Sequence, residues 1–516
     1  MTTTLPKTNP RARLDLLKIP GVGRFVRWRY SRFMLQVPLL LLALLAAYDG
    51  FTGQQIAGKN LATVSIWLHY RGLVVLSILL VGNLFCAACP LMLTRGPSKL
   101  LKRVLPEFKW PRVIKNKYFT VGLLVAYLFV YEYFGLWSSP WLSAWLIVGY
   151  FGAALLIDTF YPAGTFCKYV CPLGNFNFAL SSAAPTQITA KDPAVCSSCS
   201  GKYCLNGRIE EKARGGDFDT LAPLPLLQTQ GLRTPFVRSR PEHLQKVSSD
   251  DFNTRGNLQL YPGCETKLFV PQISSNTDCT LCLNCVRACP YDNIALTVRP
   301  AARSWEAAKP KTDWALYGVV LFFGGLFNAL AMTDPFFKFA AWLSNTLNTR
   351  VEFLLLLVIL AAVVGLGTLL ALWVLRRSSA LLGFSERSSA ALRRWGWVFF
   401  PLTLSMWAGH YSYHFLTGWA SIVPTLQNSL ERLGLYSGAV NWQLAGLIPE
   451  NWLFPTQVII LYAGYSTALF VAFRVAWKER KLSSALPLFA LLTVLSIVVL
   501  VVLAQPMQAR GTLLAQ

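Results

Sequence analysis

The chain has 516 residues, of which 54% are hydrophobic and only 14% are charged, and its mean hydropathy is +0.43. A composition this apolar excludes an ordinary soluble enzyme and is typical of a polytopic membrane protein. The formal net charge is +24, and the placement of the basic residues around the apolar segments has to account for it.

Nine apolar segments are long enough, with their flanks, to cross the hydrocarbon core of a bilayer and are predicted to be transmembrane helices. An arginine-rich stretch precedes the first, with no small-residue cleavage site after it, so we expect a retained anchor rather than a signal peptide. The segments are Phe33–Tyr48, Trp67–Cys86, Tyr118–Phe134, Leu142–Leu156, Trp314–Met332, Phe353–Leu375, Trp395–Leu416, Val458–Phe473 and Ala485–Ala504.

Lysine and arginine are concentrated on one side of this arrangement. The N-terminal flank and the loops after the second, sixth and eighth segments are strongly basic, whereas the opposite loops hold only Lys59, Lys338, Arg350 and Arg432. The positive-inside rule therefore predicts a cytoplasmic N-terminus, in a multi-pass protein of the bacterial inner membrane that contacts lipid. The same rule explains the net charge, so no nucleic-acid partner is expected.

The predicted spans divide the chain into four parts. Residues 1–32 form a basic cytoplasmic N-terminus, 33–156 a four-helix membrane core, 157–313 a cytoplasmic insert, and 314–516 a five-helix membrane domain. The insert holds ten of the twelve cysteines, and eight of them, which we call the insert cysteines, lie between residues 196 and 289. In a reducing compartment, so many cysteines are better explained by metal binding than by disulfide bonds.

The most specific motif lies in this insert, where three cysteines at intervals of three residues are followed by a fourth before a proline. It comprises Cys279, Cys282, Cys285 and Cys289, at a spacing typical of [4Fe–4S] clusters. An irregular counterpart upstream comprises Cys196, Cys199, Cys204 and Cys264. The usual crossing pattern assigns Cys196, Cys199, Cys204 and Cys289 to one cluster, and Cys279, Cys282, Cys285 and Cys264 to the other.

This interpretation predicts a two-cluster, ferredoxin-like α+β domain whose clusters supply folding energy that a small core cannot. Two features depart from the common pattern: the gap between Cys199 and Cys204 is long, and Glu265 rather than proline follows Cys264. The long stretch between Cys204 and Cys264 is expected to loop out. The alternative is one cluster together with a zinc ion or spare thiols.

Two further cysteine pairs follow the second and fourth apolar segments, and each pair ends in Cys-Pro. They are Cys86 with Cys89, and Cys167 with Cys171. Proline ends a helix and fixes the backbone after the second thiol, so four thiols from two neighbouring helix ends could surround one site. The sequence leaves three alternatives open: a third cluster or a soft metal such as copper(I) or zinc, a redox dithiol, or inert thiols.

In combination, these motifs resemble the polytopic membrane ferredoxins, the NapH-, NosR- and CcoG-like proteins that include the quinol-oxidising membrane subunit of periplasmic nitrate reductase systems. The resemblance extends over roughly residues 30–310 and includes His69–Gly72, Gly82–Cys86 and Tyr291–Ile294. It implies iron–sulfur electron transport at the membrane of a respiratory chain. The chain departs from this family in its Cys-x-x-Cys first pair and in its five C-terminal spans.

Three of the four histidines, His69, His410 and His414, are predicted to gather at the membrane face opposite the clusters. They could bind quinone, a haem or a metal, or form hydrogen bonds in an aromatic belt. A quinone site at that face would lie about 30 Å of hydrocarbon from the clusters, so we favour a site on the inner side, near Cys86 and Cys171. Glu132 and Asp158, near span ends, are interpreted as structural.

The leading hypothesis is a membrane-anchored electron conduit, an oxidoreductase subunit such as a quinol dehydrogenase, that links quinone to another redox subunit or a ferredoxin-like protein. One alternative is a maturation factor, a metal reductase that supplies electrons or copper to a membrane or periplasmic oxidoreductase. The other is a transporter or scaffold with structural clusters. The sequence contains neither a P-loop pattern nor a Cys-x-x-Cys-His haem attachment site.

Overall fold

The computed structural model describes residues 14–211, 258–300, 305, 311–446 and 450–506. In chain order the long helices are α1 (Ser31–Thr52), α2 (Leu61–Leu80), α3 (Lys117–Tyr133), α4 (Pro140–Phe160), α5 (Thr312–Leu330), α6 (Glu352–Leu381), α7 (Phe399–Gly418), α8 (Leu453–Lys478) and α9 (Leu482–Leu503). Within the described residues, seven of these helices are long and apolar enough to cross a bilayer. The protein is therefore a polytopic helical membrane protein.

Helices α3 and α7 correspond to the other two predicted spans but do not reach the same length and hydropathy. Helix α3 has 17 residues, and α7 carries several hydroxyl groups and two histidines among its apolar residues. Helix α7 is largely buried and packs against α5 and α8, whereas α3 packs one face against α5. Seven of the nine predicted spans are thus confirmed as apolar helices of sufficient length, and the number nine stays a prediction.

Helix α5 is the central element of the bundle, because its side chains are buried almost from end to end. Glycine allows its neighbours to approach closely. At Gly318 of α5, a β-carbon would overlap the ring of Phe400, and at Gly464 of α8 it would overlap the side chain of Ser405. Small residues at such positions let helix backbones approach within a membrane, where packing rather than the hydrophobic effect drives association.

The chain reverses direction after α2. The sequence predicts a second span through Cys86, but α2 ends at Leu80 and Gly82 adopts a left-handed conformation with φ of +124°. The short helix Leu84–Ala88 then runs back along the bundle, so that the ring centroids of Phe85 and Tyr70 are 4.4 Å apart. The reversal places Cys86 beside α2, where the amide of Asn177 lies 3.5 Å from both its Sγ atom and the hydroxyl of Tyr70.

The polypeptide also re-enters the bundle after α4, through the π-helical turn Phe166–Val170 and the helix Pro172–Leu180. The ring of Phe176 packs edge-on against Trp407 of α7, with centroids 5.1 Å apart. The remaining short helices are Pro20–Arg27, Arg95–Leu101, Pro193–Ser198, Tyr203–Asn206, Asn284–Ala288, Asp334–Thr346, Ser388–Trp395 and Ile422–Arg432.

The described part of the insert contains two small antiparallel ladders. Strand β1 (Thr186–Ala190) pairs with β4 (Ile294–Val298), and β2 (Arg208–Glu211) pairs with β3 (Leu258–Tyr261). The stretch predicted to loop out between Cys204 and Cys264 lies mostly outside the described residues. Apolar side chains from the strands and short helices form a small core that includes Ile188, Val286 and Leu296.

The N-terminal segment packs on this insert rather than standing apart as a basic tail. The carboxylate of Asp15 accepts hydrogen bonds from the backbone N–H groups of Leu17 and Leu296. Leu17 and Val26 complete the small apolar core of the insert. The two segments therefore lie at the same end of the membrane bundle, and we call that end the insert side and the opposite end the far side.

Candidate functional site

Four cysteines, which we call the first group, surround one cavity at the outer part of the insert. Cys196, Cys199, Cys204 and Cys289 line about 310 Å³ of empty space, together with Phe269 and Tyr291. Asn293 holds two of these sulfurs, because its backbone N–H lies 3.4 Å from the Sγ atom of Cys289 and its side-chain amide lies 3.2 Å from that of Cys196.

A second group of four cysteines lines a separate cavity between the first group and the membrane bundle. It consists of Cys264, Cys279, Cys282 and Cys285. The loop that carries it has left-handed φ angles at Asp278, Leu281 and Leu283. Such turns direct successive backbone N–H groups towards one centre and form anion-binding concavities. In the segment that supplies the fourth cysteine, the N–H of Leu268 donates to the Sγ atom of Cys264, at 3.2 Å.

These two groups are the sets that the crossing pattern predicts, with three cysteines from one segment and the fourth from the other. The groups adjoin one another, because the N–H of Cys264 donates to the carbonyl of Cys204 at 3.0 Å. Burial raises the pKa of Cys279 to about 12 and that of Cys285 well above its ordinary range. Such thiols are neutral at physiological pH unless a bound cation stabilises the thiolate.

A cluster and a single metal ion make different demands on a set of four thiols. Nowhere in the described parts of the chain do three or more His, Cys, Asp or Glu side chains approach closely enough to hold one metal ion. A cubane cluster makes a different demand, because each thiolate binds a different iron atom and the four sulfurs must surround an open centre. Cavities lined by four cysteines meet that demand, and the N–H···S contacts would stabilise the thiolates.

A third group lies where the two re-entrant segments meet, and it consists of Cys86, Cys89, Cys167 and Cys171. The two Cys-Pro pairs have the same local structure. Cys89 and Cys171 are both extended, with ψ of 123° and 110°, and the proline after each begins the next helical turn. The Sγ atom of Cys171 accepts the N–H of Gly174 at 3.1 Å and so caps that helix.

The four thiols of the third group interact with one another. Burial raises the pKa of Cys171 well above its ordinary range, and the charges of Cys167, Cys89 and Cys86 raise it further. Burial likewise raises the pKa of Cys86, Cys89 and Cys167 to about 12. Redox-active dithiols depend on a lowered thiol pKa, so this environment does not favour the dithiol alternative.

A buried ion network separates the second and third groups. Both Arg32 and Arg95 form ion pairs with Glu265, and Arg95 also pairs with Asp158 at 3.1 Å. The Nε atom of Arg32 donates to the carbonyl of Ala87 at 2.9 Å, beside Cys86. Glu265, where the common pattern has proline, therefore supplies the carboxylate that two arginines share next to Cys264.

Further contacts join the two groups directly. The side chain of Asn83 donates to the carbonyl of Cys279 at 3.1 Å, and Lys168 donates to the carbonyl of Thr266 at 2.7 Å. Beneath the second group, the Nζ atom of Lys117 lies 2.8 Å from the Oδ1 atom of Asp278 in a buried ion pair. In the sequence Lys117 belongs to the basic stretch before the third predicted span, and no local signal there indicates its buried partner.

The bundle contains a cavity next to the third group. Leu173, two residues after Cys171, lines it, as do Tyr70 and Arg71 of α2. The side chain of Asn177 connects the cavity to the third group, because its amide lies 3.5 Å from both the hydroxyl of Tyr70 and the Sγ atom of Cys86. The cavity lies near Cys86 and Cys171, and the quinone site expected there stays a prediction.

Arg71 is the charged residue of this cavity, and it is only 8% exposed. Its guanidinium lies over the rings of Trp67, Tyr131 and Tyr411, at 4.7, 5.0 and 5.1 Å from their centroids. Among the residues that the structure describes, no carboxylate forms an ion pair with it. Ionisable groups inside a membrane protein mark functional positions by default.

The histidines are not among the residues that line this cavity. The ring nitrogens of His69 contact the backbone carbonyls of Val64 and Trp419, at 3.0 and 2.8 Å. The rings of His410 and His414 lie 5.0 Å apart, and His410 is fully buried. The described residues show no metal-binding group of three that contains them, so their predicted role in binding quinone, haem or metal stays a prediction.

Sequence reasoning missed several polar residues that the fold brings to these sites. Asn328 of α5 lines the membrane cavity, and its side-chain amide donates to the Oε1 atom of Glu132 at 2.9 Å. Arg71 belongs to the segment His69–Gly72, but its spacing in the chain from Tyr131 and Asn328 does not indicate that they meet.

Comparisons with models of known families, with curated proteins and with solved structures find no match to this chain.

Proposed function

We propose that this chain is a membrane-bound iron–sulfur electron-transfer protein that links the quinone pool to a redox partner in a respiratory complex. The observation that carries the proposal is the division of the eight insert cysteines into two sets of four, each around its own cavity. The first group would hold one [4Fe–4S] cluster and the second group another. Clusters of this kind supply one-electron transfer when bound.

The third group would hold a third cluster and complete the path to the membrane cavity. Support comes from contacts that join neighbouring groups: Cys204 to Cys264, Asn83 to Cys279, and Asn177 to Cys86. The first group lies nearest solvent, beside the half-exposed ring of Tyr291, so a ferredoxin-like protein or a redox subunit would dock there. The re-entrant segments shorten the distance that electrons would have to cross within the bilayer.

The proposal includes nine spans and a cytoplasmic insert in a bacterial inner membrane. The packing of the N-terminal segment on the insert supports a common side for both, and the basic loops favour the cytoplasm for that side. The small apolar core of the insert supports a ferredoxin-like domain that depends on its clusters for stability.

One observation favours a second candidate, a copper-handling maturation factor. The thioether of Met92 lies 3.3 Å from the Sγ atom of Cys167, and thiolate with thioether is a ligand set that suits copper(I). Such a protein would bind copper at the third group and still use the insert for electron transfer. Copper that is retained stoichiometrically by wild type and lost in M92A would favour this candidate.

The proposed function is tested by electron transfer from quinol to the protein in lipid nanodiscs, under anaerobic conditions. Low-temperature EPR should show cluster signals that develop after quinol addition. The variant C86S should keep the clusters of the insert, reducible by dithionite, but lose their reduction by quinol. If wild-type clusters stay oxidised with quinol and accept electrons from a low-potential ferredoxin, the quinone-linked part of the proposal is wrong.

A further inference from the structure

The cavity around Arg71 has the properties of a site for a small aromatic ligand. Its lining is mostly aromatic and aliphatic with a few convergent polar groups, which is the usual composition of a ligand pocket. One face of α2 contributes Trp67, Tyr70, Arg71 and Val74 at helical spacing. A ligand that reaches this cavity must be soluble in the bilayer, and one that lies beside redox centres can exchange electrons with them.

Two polar groups of the cavity are available to a ligand. The guanidinium of Arg71 has five N–H donors, and it is surrounded by aromatic faces rather than by a carboxylate in the described structure. Asn328 is 1% exposed, and its Oδ1 atom has no hydrogen-bond partner there. One group donates and the other accepts, which suits a ring with two hydroxyl groups, one accepting from the guanidinium and the other donating to the amide oxygen.

Glu132 lies behind Asn328, at the far-side end of α3. The amide of Asn328 donates to the Oε1 atom of Glu132 and thereby orients this carboxylate beside the cavity. Glu132 is partly exposed, and only Tyr133 follows it in the helix. A proton accepted there can leave on the far side of the bundle, opposite the iron–sulfur groups.

We infer that this cavity binds the head group of a quinol, with Arg71 and Asn328 as its polar contacts, and that Glu132 accepts the proton released on oxidation. This inference rests on the proposed function. If the third group holds a cluster, as proposed, each quinol O–H group that is oxidised would give its proton to the Glu132 carboxylate, directly or through a cavity water, and one electron to that cluster. Two such transfers convert quinol to quinone, with two protons released to the far side and two electrons passed towards the insert.

The site is tested first by binding. A fluorescent hydroxyquinoline N-oxide, a quinone analogue, is titrated into the purified full-length protein in nanodiscs. R71L and N328L should each weaken its binding about ten- to a hundredfold, as expected for loss of a hydrogen bond in a buried site, and R71K should recover part of the loss. A matched control is L73A, on the lipid-facing side of α2, which should bind the analogue like wild type.

The proton acceptor is tested by the pH profile of cluster reduction by quinol. E132Q should bind the analogue normally, but quinol should reduce its clusters slowly and without the pH dependence of wild type. E132D should restore that dependence. Iron content and dithionite-reducible EPR signals show that each variant is folded. If R71L and N328L bind and react like wild type, the site is wrong although the function stands; if wild type binds the analogue but quinol never reduces its clusters, the proposed function fails instead.

Discussion

Glu265 connects the second and third cysteine groups, and the substitution E265Q removes its negative charge. In E265Q, Arg32 loses its ion-pair partner while Arg95 keeps Asp158. The Glu265 side chain is 8% exposed and that of Arg32 15% exposed. Removing one member of a buried pair leaves an uncompensated charge and costs about 3–5 kcal/mol.

The effect should not depend on pH near neutrality. Burial raises the pKa of Glu265, but Arg95 and Arg32 outweigh that effect and hold the pKa at about 2, below the ordinary value. Because the folded-state pKa is depressed, the stabilisation is fully present above about pH 4.5 and is lost only as the pH falls from there towards 2. Between pH 6 and 8, the difference between wild type and E265Q should stay constant.

The assay is denaturant unfolding of the purified protein in detergent micelles, followed by tryptophan fluorescence and cluster absorbance. The matched control is D292N, since Asp292 also pairs with two basic residues, Arg27 and Lys191, but is 60% exposed. Exposed pairs contribute about 0–1 kcal/mol. Equal losses of unfolding free energy in E265Q and D292N would refute the argument from burial.

Three further predictions concern the cysteine groups, the buried lysine and the histidines. Chemical analysis should find about four fewer irons per chain in each of the variants C199S, C282S and C86S. The control S198A, which changes an exposed neighbour of Cys199, should lose none. Loss of all iron from each cysteine variant would contradict independent sites. K117M should lower the unfolding free energy by about 3–5 kcal/mol, and K117M/D278N should regain part of it in a double-mutant cycle; additive losses would refute the coupling. In H410A and H414A, quinol should still reduce the clusters, because neither histidine lines the cavity. Loss of that reduction in either variant would show that the quinol site is not this cavity.

The spacing of the cysteines predicts a large part of the candidate site, because short intervals in the chain restrict which sulfurs can meet. The two insert groups follow from it, and so does the pairing of the two Cys-Pro segments. The apolar segments likewise predict seven of the helices that the structure shows. These are local properties, and a single sequence carries them.

The rest depends on contacts between distant residues. The apolar residues Leu84 and Phe85 extend the hydrophobic run of α2, so hydropathy cannot show that the chain reverses at Gly82. Lys117 resembles other basic loop residues until the fold places Asp278 beside it. The meeting of Arg71 with Tyr131, and of Asn328 with Glu132, likewise results from helix packing and has no signature in spacing.

The measurement that tests the central claim most directly is the iron and acid-labile sulfide content of anaerobically purified protein, together with its low-temperature EPR spectrum. Three [4Fe–4S] clusters predict about twelve irons and about twelve sulfides per chain, with signals from interacting clusters after reduction. About eight irons would leave the third group without a cluster and break the proposed path to the membrane cavity. Protein that is folded without iron, or with only a single zinc ion in the insert, would contradict the account.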